Sequence, residues 1–180
     1  MNLSTAVNFQ LARAESEAEQ QLNRLLEANG PALVRLAASY TNTASDRDDL
    51  VQDIAIALWK ALRKFRGECS ERTFLFRVAH NRAIDYLRQR GAVTASLDDD
   101  TPVRDARPNP EAGLAQEQQG ERLRQAIRRL PLAYRQVITL TLEEMSYSEI
   151  AEVLGVTETN VGVRLNRARQ LLRELLEKRK

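Results

Sequence analysis

The chain has 180 residues and a nearly balanced charge, with 27 basic and 25 acidic residues and one histidine. One cysteine excludes an intrachain disulfide, no apolar run approaches the roughly 18 residues of a membrane span, and the first residues lack a signal-peptide pattern. Seven glycines and five prolines are few for this length. We therefore expect a mostly helical, cytoplasmic protein without stable membrane insertion.

Apolar residues at three- and four-residue steps predict four helices in the first half of the chain. These helices cover residues 14–28, 31–41, 46–65 and 71–90. The Asn29-Gly30-Pro31 segment should end the first helix, because glycine favours a C-cap and proline cannot continue the helical hydrogen bonds. Four helices with short connections predict one compact bundle over residues 16–90, preceded by an extension at residues 1–15.

The composition changes at residues 91–120, which contain three of the five prolines and three consecutive aspartates. This segment has too few large apolar residues to offset the entropy lost on ordering, so we predict a flexible acidic linker. Charge alternates along the chain as well. Residues 55–90 have nine basic and three acidic side chains, and residues 121–180 have twelve and eight. Two basic blocks separated by an acidic spacer suit a protein that contacts DNA at two places.

The last block, residues 121–180, contains the pattern of a helix-turn-helix. Ser146 followed by Glu149 is a capping-box signal, Gly155 suits the tight turn, and Thr157 can cap a second helix. The polar side chains of that second helix would face a DNA major groove. The candidate duplex-binding residues are Thr157, Thr159, Asn160, Arg164 and Arg167.

Two stretches, residues 48–90 and 122–169, resemble regions 2 and 4 of the extracytoplasmic-function sigma factors, which are bacterial transcription initiation factors. The resemblance implies a non-enzymatic, all-α protein of two domains. The region 2 bundle would bind core RNA polymerase and melt and capture the minus-ten strand of a promoter. The region 4 helix-turn-helix would bind the minus-thirty-five duplex. It also implies an anti-sigma partner, and neither a cofactor nor a metal.

The same resemblance implies a polymerase-docking surface on the third predicted helix. Its residues would be Asp49, Gln52, Asp53 and Trp59, with Ile56 and Lys60 beside them. Exposed tryptophans often anchor interfaces. The alternative for Trp59 is that it fills the bundle core, as most tryptophans are highly buried.

For the minus-ten strand, the resemblance implies a loop that captures a base and a helix that carries basic and amide groups. The candidate residues are Arg66, Gly67, Cys69, Ser70, Arg77, Asn81, Arg82, Asp85 and Arg88. The alternative is an ordinary solvated surface, in which Asp85 pairs with a neighbouring arginine. One departure concerns region 4, where relatives commonly have Lys-Ser at Gly162-Val163. Glycine there would remove a phosphate contact and weaken the helix by up to about 1 kcal/mol.

Two other classes of function remain open on the sequence alone. One is a helix-turn-helix regulator with a sensory or dimerising N-terminal bundle, which would not need the basic block at residues 55–90. The other is a nuclease or a protein-binding adaptor. The paired aspartates at residues 48–49 and 98–100 suit capping and solvation better than metal binding, and His80 suits packing better than ligation. Redox sensing by Cys69, activated by Arg66 and Arg72, is the further alternative to an incidental small residue.

Overall fold

The computed structural model describes the backbone of residues 3–91 and 115–177 and the side chains of residues 17–91 and 119–177. Within these residues all regular secondary structure is helical, which confirms the predicted all-α fold. Most of the predicted linker lies outside the described residues. The seven helices are α1 (Leu3–Tyr40), α2 (Ala44–Leu62), α3 (Glu71–Gln89), α4 (Ala115–Arg129), α5 (Leu132–Leu142), α6 (Tyr147–Leu154) and α7 (Glu158–Glu177).

Helix α1 corrects one prediction, because the expected break at Asn29-Gly30-Pro31 is absent. The helix runs through Pro31 and is 38 residues long in total. The N-terminal bundle therefore has three helices rather than four. An interior proline costs about 3 kcal/mol because it removes a backbone donor and crowds the preceding turn. Leu25 before the proline and Leu36 after it both enter the core, and this burial offsets the local cost. Asn29 also donates to the Leu25 carbonyl at 3.0 Å.

Helices α1 to α3 pack around a core of aliphatic side chains and Phe76. The predicted stripe of α2 forms its buried side through Leu50, Ile54 and Leu58. The cap of α2 is Thr43, whose side chain accepts the Asp46 N–H at the start of the helix. Capping by a side-chain oxygen satisfies one of the four free N–H groups of a helix start.

Helices α4 to α7 form the second domain and contain the predicted helix-turn-helix in α6 and α7. Ser146 and Glu149 make a complete capping box at the start of α6. Gly155 ends that helix with φ 67°, a conformation that a side chain disfavours. Val161 and Leu165 of α7 are fully buried against the rest of the domain. These features confirm the predicted two-helix motif.

The two domains pack against each other, and Glu143 at the end of α5 is the centre of their contact. Its carboxylate accepts two hydrogen bonds from Arg35 of α1, from Nε at 2.9 Å and from Nη2 at 2.5 Å. Its backbone carbonyl accepts a hydrogen bond from Arg72 of α3. The Glu143 side chain is only 4% exposed, so it depends on these donors to offset its loss of water.

A second group of contacts connects the domains through buried polar side chains. His80 of α3 lies with Nε2 2.9 Å from Nε2 of Gln136 in α5, and with Nδ1 3.5 Å from the Tyr40 hydroxyl. Burial lowers the pKa of His80 to about 4, so the ring is neutral near pH 7. A neutral ring accepts the Gln136 N–H at Nε2 and carries its own proton on Nδ1. Thr139 of α5 also donates to Ser39 of α1 at 3.2 Å.

Candidate nucleic-acid interface

Helix α7 presents a mainly polar face to solvent, with Val163 as its apolar member. Its inner side is defined by Val161, Leu165 and Ala168, which are fully buried. At 3.6 residues per turn, the residues on the opposite side form one arc. The exposed residues of that arc are Thr159, Asn160, Val163, Asn166, Arg167 and Gln170. This second helix of the helix-turn-helix can therefore offer amide and guanidinium donors to base edges and phosphates.

The structure distributes the predicted duplex-binding residues unevenly over this face. Thr159, Asn160 and Arg167 are exposed. The Thr157 hydroxyl accepts the Asn160 N–H at 3.2 Å, so it serves the helix start as well. Arg164 is half-buried at the edge of the face, with its Nε enclosed and without a hydrogen-bond partner.

Sequence analysis missed Val163 and Asn166, which lie on the exposed arc. The signal that could have found them was helical phase. Counting along the helix from the apolar positions Val161 and Leu165 places Val163 on the opposite side. A pattern of polar side chains selects the arginines of α7 and leaves out an apolar residue such as Val163.

Gly162 is explained by Tyr147, which begins α6. A Cβ atom built at Gly162 would lie 3.6 Å from Cε2 of the Tyr147 ring. The tyrosine ring therefore fills space beside the glycine, and Tyr147 remains 42% exposed. A short side chain at this position would meet the ring at ordinary contact distance.

We expect Gly162→Ala to raise the free energy of unfolding by about 0.5–1 kcal/mol, because alanine restricts the unfolded chain and favours helix. Urea denaturation followed by circular dichroism would measure the change. Gly155→Ala is the matched control, and it should destabilise the protein because that residue has a positive φ. A loss of stability in Gly162→Ala would show that the added methyl group does not fit beside the Tyr147 ring at ordinary contact distance.

Helix α3 carries five of the predicted minus-ten residues, namely Arg77, Asn81, Arg82, Asp85 and Arg88. Asn81 and Arg88 are exposed, and Asp85 lies between two arginines. Arg82 Nη1 is 3.7 Å and Arg88 Nη1 is 3.5 Å from the Asp85 carboxylate. Surface pairs of this kind contribute little to stability. Arg82 and Arg88 can therefore leave the Asp85 carboxylate and bind a phosphate with little loss of folding free energy.

Arg77 of the same helix contacts the second domain. Its Nη2 lies 2.9 Å from Glu152 of α6, the first helix of the helix-turn-helix. In this arrangement of the domains, the guanidinium of this predicted minus-ten residue is already paired with the Glu152 carboxylate. The Arg77 Nε is enclosed without a hydrogen-bond partner.

The loop between α2 and α3 contains the other predicted minus-ten residues. Arg66 and Gly67 are exposed, and Gly67 has φ 75°, which suits a turn that only glycine adopts easily. Ser70 accepts the Thr73 N–H and begins α3. Burial raises the pKa of the Cys69 thiol, with Arg77 opposing and Glu152 adding to the shift. The expected lowering by Arg66 and Arg72 is therefore not found, and the thiolate needed for redox chemistry is disfavoured.

The outer side of α2 holds the predicted polymerase-docking residues together. Asp49, Gln52 and Asp53 are exposed, and Ile56 beside them is 50% exposed. Trp59 is half-buried at the edge of this surface, with the Arg63 guanidinium 5.7 Å from its ring centre. Trp59 thus belongs partly to the surface and partly to the bundle.

The described residues contain no group of three or more His, Cys, Asp or Glu side chains arranged to hold a metal ion. Among the same residues, no helix combines the length and the apolar character needed to cross a bilayer.

Comparison with protein families matches both halves of the chain. Residues 25–93 match Sigma-70 region 2, and residues 120–172 match Sigma-70, region 4. The RNA polymerase sigma factor NccH of Alcaligenes xylosoxydans xylosoxydans is 35% identical over 96% of this chain and 96% of its own length. The RNA polymerase sigma factor CnrH of Cupriavidus metallidurans is 33% identical over 98% of this chain and 97% of its own.

Solved structures share the fold of this chain. The structure of CnrH in complex with the cytosolic domain of CnrY is similar with a TM-score of 0.69 and 29% identity, covering 94% of this chain and 96% of that one. The sigma factor RpoE of Bartonella quintana, solved with the anti-sigma factor NepR, shares the fold with a TM-score of 0.66 at 23% identity. That match covers 88% of this chain and 98% of RpoE.

Proposed function

The chain belongs to the extracytoplasmic-function RNA polymerase sigma factors with sigma-70 regions 2 and 4, and we propose that it divides promoter recognition between two separate faces. As a sigma factor it is non-enzymatic, binds core RNA polymerase and promoter DNA, and directs transcription initiation. In the proposal, residues 121–180 bind the minus-thirty-five duplex through α7. Residues 16–90 engage the minus-ten strand through α3 and the loop before it.

One observation supports this division above the others. Each domain exposes its own face of amide and guanidinium groups, with Asn81 and Arg88 on α3 and Asn160 and Arg167 on α7. Duplex reading requires a helix that can enter the major groove, which the second helix of a helix-turn-helix provides. Single-strand capture requires basic groups along the backbone and a place for an unstacked base. The loop at Gly67 adjoins α3 and suits that task.

In the same proposal, α2 docks on core polymerase through Asp49, Gln52 and Asp53 together with Ile56 and Trp59. Their shared exposed side supports this role. Residues 91–120 would act as the connection that lets the two domains reach separate promoter elements.

We also include an anti-sigma protein among the partners and the cytoplasm as the location. The support for the partner is similarity to CnrH, which has been solved with the cytosolic domain of CnrY. Core polymerase and promoter DNA are themselves cytoplasmic in bacteria.

The division of labour predicts different defects for two substitutions. Arg167→Ala should weaken binding of the holoenzyme to closed minus-thirty-five duplex about 10-fold or more, since one good base or phosphate contact contributes on the order of 1–3 kcal/mol. Asn81→Ala should leave closed-complex affinity within about twofold and reduce strand opening. Filter binding on duplex and permanganate footprinting of unpaired thymines would measure the two steps.

The control is Arg24→Ala, which removes an exposed arginine from α1 and should affect neither step. Equal defects of the Arg167 and Asn81 variants in closed-duplex binding would rule out the division of labour. Tight promoter binding without polymerase, and no transcription with it, would argue against the function as a whole.

A further inference from the structure

The centre of the exposed arc on α7 is an apolar residue. Each residue of a helix turns by roughly 100°, which places Val163 within about 20° of the point opposite the mean direction of Val161, Leu165 and Ala168. Asn160 lies one turn before Val163 and Asn166 one turn after it. All three are exposed, and Val163 is 47% exposed.

Packing inside the domain does not account for Val163. Its side chain points away from the buried residues, and a β-branched residue has a modest helix propensity. Single exposed apolar residues are common on protein surfaces. This one is distinguished by its place in the middle of the face that would enter the major groove.

Its neighbour Gly162 leaves Val163 accessible. No side chain projects from position 162, and the Tyr147 ring occupies the adjoining space. Val163 itself is 47% exposed, so its two methyl groups can reach the floor of the groove.

The major groove offers few apolar groups to such a side chain. The C5-methyl group of thymine is the one that protein methyl groups contact, whereas asparagine pairs well with N6 and N7 of adenine. An apolar side chain between two asparagines thus matches a sequence of A·T base pairs.

We propose that Val163 recognises the C5-methyl group of a thymine in the minus-thirty-five element. Asn160 and Asn166 contact the flanking bases and favour adenine. This inference rests on the proposed role of α7 in binding the minus-thirty-five duplex. It adds the base that the helix selects and the residue that selects it.

The test uses the full chain with core RNA polymerase and a promoter library randomised over the minus-thirty-five element. Sequencing of templates that are transcribed gives the selected element. Each thymine of that element is then replaced by deoxyuridine, which removes only the methyl group, and the affinity of the holoenzyme is measured on each duplex.

We expect one thymine-to-deoxyuridine replacement to weaken binding about fivefold, since it removes one buried methyl contact. Val163→Ala should bind the thymine duplex about fivefold more weakly than the unmodified protein, and it should lose nothing further on the deoxyuridine duplex. Val34→Ala shortens a valine of similar exposure on α1 and should retain the full methyl effect.

Three outcomes would overturn the inference. The first is a selected element in which no single methyl group matters, and the second is a Val163→Ala protein that still loses affinity when that methyl is removed. The third is the absence of any enriched minus-thirty-five sequence although transcription occurs. That third result would reject the duplex-binding role of α7 itself, whereas the first two leave it intact.

Discussion

Ile56→Glu lowers the affinity of the protein for core RNA polymerase by about 30-fold or more. Ile56 is 50% exposed on α2, beside Asp49, Gln52 and Asp53. Burial of an isoleucine contributes on the order of 1.5–3 kcal/mol, and a glutamate placed in the same contact must also be stripped of water. Fluorescence anisotropy with labelled protein and purified core polymerase would measure the dissociation constant.

Val34→Glu is the matched control for this prediction. Val34 is an apolar residue of α1 with 38% exposure, outside the proposed docking surface, so its replacement should leave polymerase affinity unchanged. Both variants should keep the free energy of unfolding within about 0.5 kcal/mol of the original, as surface substitutions usually do. Equal losses of affinity in the two variants would show that α2 is not the docking helix.

A substitution of Trp59 would not isolate the effect on polymerase affinity, because the residue is half-buried and contacts Arg63. The sequence left two roles open for this residue, an interface anchor and a core residue. Its position at the edge of the docking surface is compatible with both. Replacement by alanine would therefore change stability and polymerase affinity together.

Acidification from pH 7.5 to 5.5 shifts the equilibrium between the domains about tenfold towards separation. His80 has a pKa of about 4 while it is enclosed between Tyr40 and Gln136. Once water reaches the ring, it titrates near the ordinary value of 6.5. Energy transfer between dyes on α2 and α7, in a Cys69→Ser background, would follow the separation.

The direction follows from proton linkage. Above about pH 6.5 the His80 ring is neutral in both the packed and the separated state, so its titration does not favour either state. As the pH falls from about 6.5 towards 4, His80 becomes protonated in the separated state and stays neutral in the packed state. The packed state therefore loses stability relative to the separated state by about 1.4 kcal/mol per pH unit. Below about pH 4 the loss levels off, since both states are then protonated.

His80→Gln should remove most of this pH dependence, because glutamine can still bond Gln136 and does not titrate in this range. Tyr40, which contacts the His80 ring, and Arg135 beside Tyr40 do not change charge in this range. Burial raises the pKa of Tyr40, and Arg135, whose guanidinium lies 5.8 Å from the Tyr40 ring, has its pKa lowered by burial only to about 10. A tenfold shift that persists in His80→Gln would assign the effect to another group.

Local signals predicted the helix-turn-helix well, since its determinants lie within a few residues of one another. Ser146 and Glu149 form the expected capping box, and Gly155 has the expected positive φ. The predicted break at Asn29-Gly30-Pro31 was wrong because the decisive interactions there are not local. Turn residues there compete with burial of Leu25 and Leu36 in the core, and that burial is a property of the folded bundle.

The contact between the domains had no counterpart in the sequence analysis. Arg35 and Glu143 are separated by 108 positions, and nothing in the spacing of charges indicates which arginine finds which glutamate. The candidate site shows the same limit. Helical phase places Asn81 and Asn160 on exposed faces, whereas the enclosure of the Arg164 Nε depends on the surrounding side chains.

The Arg77–Glu152 ion pair has a consequence for promoter strength. Under the proposed roles, the minus-ten strand and Glu152 of α6 compete for the Arg77 guanidinium. Binding of the strand therefore weakens packing of the domains, and packing of the domains weakens binding of the strand. Such competition is reciprocal in free energy. A promoter whose minus-ten strand binds tightly would itself help to keep the domains apart, whereas a weak promoter would yield more readily to any molecule that stabilises their packing. The strength of a promoter and its resistance to inhibition would then share one physical origin.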